Sequence, residues 1–152
     1  MEKETLKSAI AAWLPEVVFD ESGEFLTLEI DSTHFHGLAS HLRHEAALHF
    51  DYLFCLTCID WKSHLTMVYH LTSTEFRHTL VLKCKLDAAA PKIHTVSDLW
   101  QTANFHEREV YEMFGVEFIN HPDLRLLILP DGWEGKKPLR KDFEDPVNMI
   151  KL

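Results

Sequence analysis

The chain predicts an α+β domain with a mixed, largely antiparallel sheet, helices mainly on one face, and an extended, irregular C-terminal arm. Three observations lead there. Short runs of alternating apolar and polar residues recur, as half-buried strands require. Two long segments and one short one carry apolar residues three and four apart, the spacing of a helix face. Beyond residue 120, Pro122, Pro130, Pro138 and Pro146 recur with Gly132 and Gly135 and forbid a long helix or central strand. A length of 152 residues, 46% of them hydrophobic, suits one domain with one core.

The elements follow in order. Residues 2–13 form a short helix on Leu6, Ile10 and Trp13, stopped by Pro15. Residues 17–19 make a short strand, Ser22-Gly23 a turn, and 25–31 a second strand in which Leu26, Leu28 and Ile30 alternate with Thr27, Glu29 and Asp31. Asp31 or Ser32 caps a helix over 33–47, with Phe35, Leu38, Ala39, Leu42 and Ala46 on its apolar stripe. Residues 52–61 are apolar nearly throughout, as a central strand is. Residues 64–71 and 78–86 form a hairpin around the polar 72–75 turn. Pro91 ends the sheet region. Thr95 or Ser97 caps a short helix to about 102, and Asn104 caps another, with Glu107 at the capping-box position and Gly115 at the left-handed C-terminal cap. The predicted division is therefore a domain over 1–120 and an arm over 121–152.

Charge narrows the partners. The net charge is −9, and no third of the chain has a positive excess, which argues against nucleic acid. No stretch approaches the ~18 apolar residues of a membrane span, and the N-terminus lacks the pattern of a secretory signal. Three cysteines make no disulfide framework and fit a reducing, cytosolic setting. Cys55 and Cys58 form a CxxC, but in a strand residues three apart point to opposite faces, so they read as buried thiols rather than a zinc or redox pair. Among eleven histidines, His34, His36, His41 and His44 share one helix. His41 and His44 lie a turn apart, yet no further ligand follows at a recurring spacing, and solvated side chains fit better. His106-Glu107-Arg108-Glu109-Val110 begins like a zinc-protease HExxH and fails at Val110.

Glu107 stands out. It shares a helix face with Val110, Tyr111 and Phe114, where an unpaired carboxylate is costly. Two readings stand. Glu107 closes its own capping box, or it is buried and paired with Arg125, Arg140 or a basic residue of another chain. The arm is equally unusual. Its Leu124, Leu126, Leu127, Ile128, Leu129, Trp133, Leu139 and Phe143 suit a segment that covers its own domain or lies on a partner.

At these residues the chain resembles a known family. Glu107-Arg108-Glu109, then Glu112, then His121-Pro122 and Arg125 followed by Leu127 and Ile128, match its central motif in type and spacing. Pro138-Leu139-Arg140-Lys141-Asp142-Phe143 matches its second block. The family is that of the 30 kDa subunit of NADH–quinone oxidoreductase, respiratory complex I. Its relatives serve membrane-bound [NiFe] hydrogenases and ferredoxin-dependent complexes. The resemblance implies a non-catalytic peripheral-arm subunit without a cofactor of its own. NADH, FMN, iron–sulfur clusters and quinone would be handled elsewhere in a proton-translocating complex. The implied neighbour is the hydrogenase-like large subunit of the quinone site, on the cytoplasmic side of the membrane. Glu107, Arg108, Glu109, His121, Pro122, Arg125, Pro138, Leu139, Arg140, Lys141, Asp142 and Phe143 are the expected partner-binding residues. The competing reading of another class is a free-standing hydrolase with a metal on its histidines.

Overall fold

The computed structural model describes residues 1–149, and the last three residues of the predicted arm lie outside the described residues. Helix α1 (Lys3–Trp13) precedes strands β1 (Val18–Asp20) and β2 (Leu26–Ile30). Helix α2 (Ser32–His44) starts where expected, because the Asp31 carboxylate accepts the Thr33 N–H at 2.8 Å. Three nine-residue strands follow: β3 (Tyr52–Asp60), β4 (His64–Thr72) and β5 (Thr79–Asp87). After them come β6 (Lys92–His94), α3 (Ala103–Phe114) and β7 (Glu117–Ile119).

The main sheet has the order β1-β2-β5-β4-β3. Only β2 with β5 is parallel; β1–β2, β3–β4 and β4–β5 are antiparallel. Alternation sets the core. Leu26, Leu28 and Ile30 of β2, Leu80, Leu82, Cys84 and Leu86 of β5, and Leu65, Met67, Tyr69 and Leu71 of β4 all point one way. Onto them pack Leu6 and Ile10 of α1, Phe35, Leu38, Ala39 and Leu42 of α2, and Val110 of α3. The helices thus cover one face, as the sequence predicts.

Four expectations change. The apolar strand β3 lies at the edge of the sheet, not its centre. Only its inner face is buried: Leu53, Leu56 and Cys58 lie in the core, α3 packs along the strand and the Thr102 hydroxyl donates to the Leu53 carbonyl at 2.9 Å, while Tyr52 and Phe54 on the outer face stay exposed. The edge is covered rather than paired. Second, residues 97–102 form hydrogen-bonded turns, not a helix, because the Leu99 and Trp100 amides both bond the Val96 carbonyl and the ladder stops there. Third, strand structure does not end at Pro91. Strands β6 and β7 pair in parallel as a second, two-stranded sheet. Fourth, α3 begins at Ala103 with no side-chain cap, so Asn104 is inside the helix and the capping box is absent. Gly115 does adopt the left-handed cap, at φ 77°.

Candidate functional site

Helix α3 and the segments around it form the polar centre of the molecule. Glu107, Arg108 and Glu112 are all buried. Arg108 and Glu112 are satisfied by backbone from a neighbouring loop, and Glu107 by a backbone amide and a hydroxyl, rather than by an opposite charge.

The Glu107 side chain is 0% exposed. Its carboxylate accepts from the Thr95 hydroxyl at 2.5 Å and the Val96 amide at 2.8 Å. His121 Nε2 lies 3.7 Å away. That nitrogen also meets the Asn104 carbonyl at 3.1 Å, while Nδ1 accepts the Asp123 amide at 3.0 Å. The ring therefore works as an Nε2–H donor and Nδ1 acceptor. Burial pushes the Glu107 carboxyl up to about 7, against the two hydrogen bonds that lower it and with a smaller push from Asp98. The expected arginine partners are elsewhere: Arg125 pairs with Asp123 at 2.9 Å, and Arg140 bonds carbonyls. Burial of Glu107 holds; the Arg125 and Arg140 pairing does not. Both arginines have nearer, less buried partners, and Thr95 and Val96 already fill the acceptor positions.

Arg108, the residue after Glu107, and Glu112, one helical turn beyond it, act as a clamp. The Arg108 guanidinium donates to the Arg125 carbonyl at 3.1 Å and the Leu126 carbonyl at 2.7 Å. The Glu112 carboxylate accepts the amides of Leu127, Ile128 and Leu129 at 2.9, 3.0 and 3.2 Å. Spacing of four places both side chains on one face of α3. Carbonyls of residues 125–126 and amides of 127–129 are thus held by opposite charges on one helix. Charge-assisted bonds of this kind are about twice as strong as neutral ones. With the backbone fixed from inside, Leu127 and Ile128 face outward, 38% and 62% exposed.

The second block closes the other end of α3. Arg140 donates to the Phe114 carbonyl at 2.6 Å and, through both terminal nitrogens, to the Ala88 carbonyl at 3.1 Å. A cation here also complements the negative end of the helix. The Leu139 amide reaches the Met113 carbonyl at 3.1 Å, and the Lys141 amide reaches the Asp60 carboxylate at 2.8 Å. The Lys137 stem packs over Gly115, leaving no room for a Cβ. Leu139 is 54% exposed. Glu109, Pro122, Lys141 and Asp142 are exposed, Pro138 is half-buried, and Phe143 lies half-buried with its ring 6.4 Å from that of Trp133.

The structure therefore brings Glu107, Arg108, His121, Leu139, Arg140 and the Arg125 backbone together around α3. It does not join Glu109, Pro122 or Asp142 to that network by side-chain bonds among the described residues. Sequence reasoning placed Glu112 in a motif without a role and missed Thr95, Val96 and Asp60. The two thiols of the CxxC make no pair. Cys55 sits opposite His70 and Cys58 opposite Met67, on opposite sheet faces. Cys58 is buried as expected, while Cys55, on the outer face, is half-buried. Burial pushes Cys58 and Cys84 to about 12. His41 stacks on Trp13 at 4.5 Å, and His44 Nδ1 bonds the Ser40 carbonyl at 2.9 Å. Among the described residues no helix is long and apolar enough to cross a membrane.

Comparison with known proteins adds the family. The model of the respiratory-chain NADH dehydrogenase 30 Kd subunit matches residues 28–147. The chain is 37% identical over 146 residues to an NADH-quinone oxidoreductase subunit of Herpetosiphon aurantiacus, covering 93% of the chain and 84% of that relative. It is 33% identical over 149 residues to an F(420)H(2) dehydrogenase subunit of Methanosarcina mazei, covering 95% and 93%. Against a much longer NADH-quinone oxidoreductase subunit of Phocaeicola vulgatus, at 42% identity over 106 residues, it spans only 20% of the relative's length; the match to the Chloroherpeton thalassium relative spans 50%. Among solved structures, a membrane-bound sulfane sulfur reductase superposes with a TM-score of 0.78 at 26% identity, covering 93% of this chain and 85% of that one. The trypsin-resistant fragment of Nqo5 superposes with a TM-score of 0.69 at 26% identity, covering 82% and 100%.

Proposed function

Because the chain belongs to the family of the respiratory-chain NADH dehydrogenase 30 kDa subunit, we propose that it is a peripheral-arm subunit of a membrane-bound, proton-translocating NADH–quinone oxidoreductase. In this reading the chain performs no chemistry. NADH, FMN, iron–sulfur clusters and quinone are bound by other subunits, and this one supports the hydrogenase-like large subunit that forms the quinone site. It lies on the cytoplasmic side and reaches the membrane only through the complex. Positioning to within an ångström matters for such chemistry, and a neighbouring chain is one source of it.

The clamp on residues 125–129 carries this reading. Two buried charged side chains, Arg108 and Glu112, spend their bonds on holding a backbone, and the result is that Leu127 and Ile128 face outward; Leu139, in the second block, is exposed too. Fixed apolar side chains with no cover of their own suit an interface core. The arm over 121–152 is accordingly the docking segment. Its test is a pull-down of tagged chain from solubilised membranes with mass spectrometry. Wild type should recover the large subunit, and Ile128→Asp with Leu139→Asp should lose it while the melt of the free chain stays unchanged. Equal recovery by both would overturn the assignment of the arm.

A second reading keeps the role and changes the electron donor. Relatives of nearly full length include a subunit of an F(420)H(2) dehydrogenase and a chain of a sulfane sulfur reductase. An equivalent subunit of a [NiFe] hydrogenase or ferredoxin-dependent complex would look the same. The electron-input subunit recovered in the pull-down decides between them.

A further inference from the structure

We propose that His36, His94 and Asp98 form a binding site for a divalent transition-metal ion, zinc above all. The three come from different parts of the chain: α2, β6 and the 97–102 turns. Their ligand atoms lie within 4.8 Å of one another. His36 Nε2 and an Asp98 carboxylate oxygen form a hydrogen-bonded pair at 2.9 Å; two ligands of one tetrahedral zinc ion, with bonds of about 2.0–2.2 Å, lie about 3.3–3.5 Å apart, so a small outward shift of this pair admits the ion. The His36 and His94 ring centroids are 4.0 Å apart, with the planes tilted by 47°.

The surroundings prepare His94 for the task. Its Nδ1 lies 2.7 Å from the Thr95 carbonyl, which accepts the ring proton and makes Nε2 the acceptor nitrogen of the ring. Backbone carbonyls serve metal-bound imidazoles in this way, fixing the tautomer and raising ligand basicity. The Asn120 side chain now meets that Nε2 at 3.1 Å. Turning its amide over presents a carbonyl oxygen at the same place, a fourth ligand of suitable type. Two imidazoles, a carboxylate and an amide or water oxygen select zinc and its neighbours over magnesium or calcium. His36 and His94 are half-buried and Asp98 is exposed, so the ion has an entry path. No redox step is involved; the ion would pin α2 to the small β6–β7 sheet beside the α3 network.

The full chain, freed of metal by chelation and dialysis, is titrated with Zn²⁺ alone by calorimetry. Co²⁺ is used in parallel for its visible absorption. One ion per chain should bind, with a cobalt band of four-coordinate type and a raised melting temperature. Asp98→Asn and His36→Gln should each weaken Zn²⁺ binding at least ~10-fold and abolish the thermal shift, whereas His41→Gln should change neither. Asp98 is exposed, so its variant keeps the fold and the result remains readable if His36→Gln does not. Absence of stoichiometric binding, or a loss below about tenfold in Asp98→Asn, would overturn the site.

Discussion

Phe35 and Tyr69, whose rings meet at 4.6 Å, sit in the buried apolar core formed by the sheet and the helices. Around Glu112, 15 to 17 residues of sequence from its loop partners, the bonds are charge-assisted and end on backbone. The first region is held by area removed from water, which is insensitive to direction. The second is held by a few directional bonds, each of which fixes a conformation. A sheet needs only the right side chains on the right face. A segment without helix or strand has no internal ladder, and its amides and carbonyls must be satisfied from outside. Here α3 supplies that ladder, with Arg108 for the carbonyls and Glu112 for the amides.

Perturbing each region in turn probes this division. Phe35→Ala should have the largest effect, about 3–5 kcal/mol of global stability by denaturant unfolding, with hydrogen exchange rising in sheet and arm alike. Retained arm protection would show that α3 does not depend on the common core. Next is pH. The Glu107 carboxyl is raised from 4.5 to about 7, so between those values the native state keeps a proton that the unfolded chain releases. Stability from this group falls as pH rises through that window, by about 3 kcal/mol in all, and is level on either side. Carboxyls lowered by hydrogen bonds, such as Asp60, act in the opposite sense and at lower pH, below their ordinary value near 3.8. Glu107→Gln should flatten the 4.5–7 slope; an unchanged slope would assign it to other groups.

Glu112→Ala should act locally. Losing a charged acceptor is worth about 2 kcal/mol, read as ~30-fold faster exchange at the amides of 127–129 with sheet amides unchanged. Equal acceleration in the sheet would mean that clamp and core are one cooperative unit. Arg140→Met should be smallest, about 1 kcal/mol, seen as fraying of the last turn of α3.

The parts of the fold readable from sequence are those with a period. Alternation in β2 and β5, and the Leu38–Leu42 spacing in α2, register directly as faces. Strands β6 and β7 are three residues each, too short to show a period, and their parallel pairing spans the whole of α3. The position of β3 was misleading because an apolar run does not report the number of strand neighbours: α3 packs beside the buried Leu53, Leu56 and Cys58, and Tyr52 and Phe54 are apolar yet exposed. The site was legible in its motif residues and in the burial of Glu107. Its partners were not, since Thr95, Val96 and the amides of 127–129 contribute backbone or a single hydroxyl, and backbone is the same at every position. The histidine cluster was invisible for a related reason: His36 and His94 are 58 positions apart, and only the packing of α2 beside β6 brings them together.

A grip on amides and carbonyls is blind to what the gripped residues carry. Side chains at 126–129 can be exchanged for others without disturbing a single bond made by Arg108 or Glu112, provided none is proline. The loop therefore behaves as an exchangeable cassette on a constant mount. A lineage can rewrite the contact surface one side chain at a time, to follow a drifting or different neighbour, while the shape that presents it is inherited unchanged.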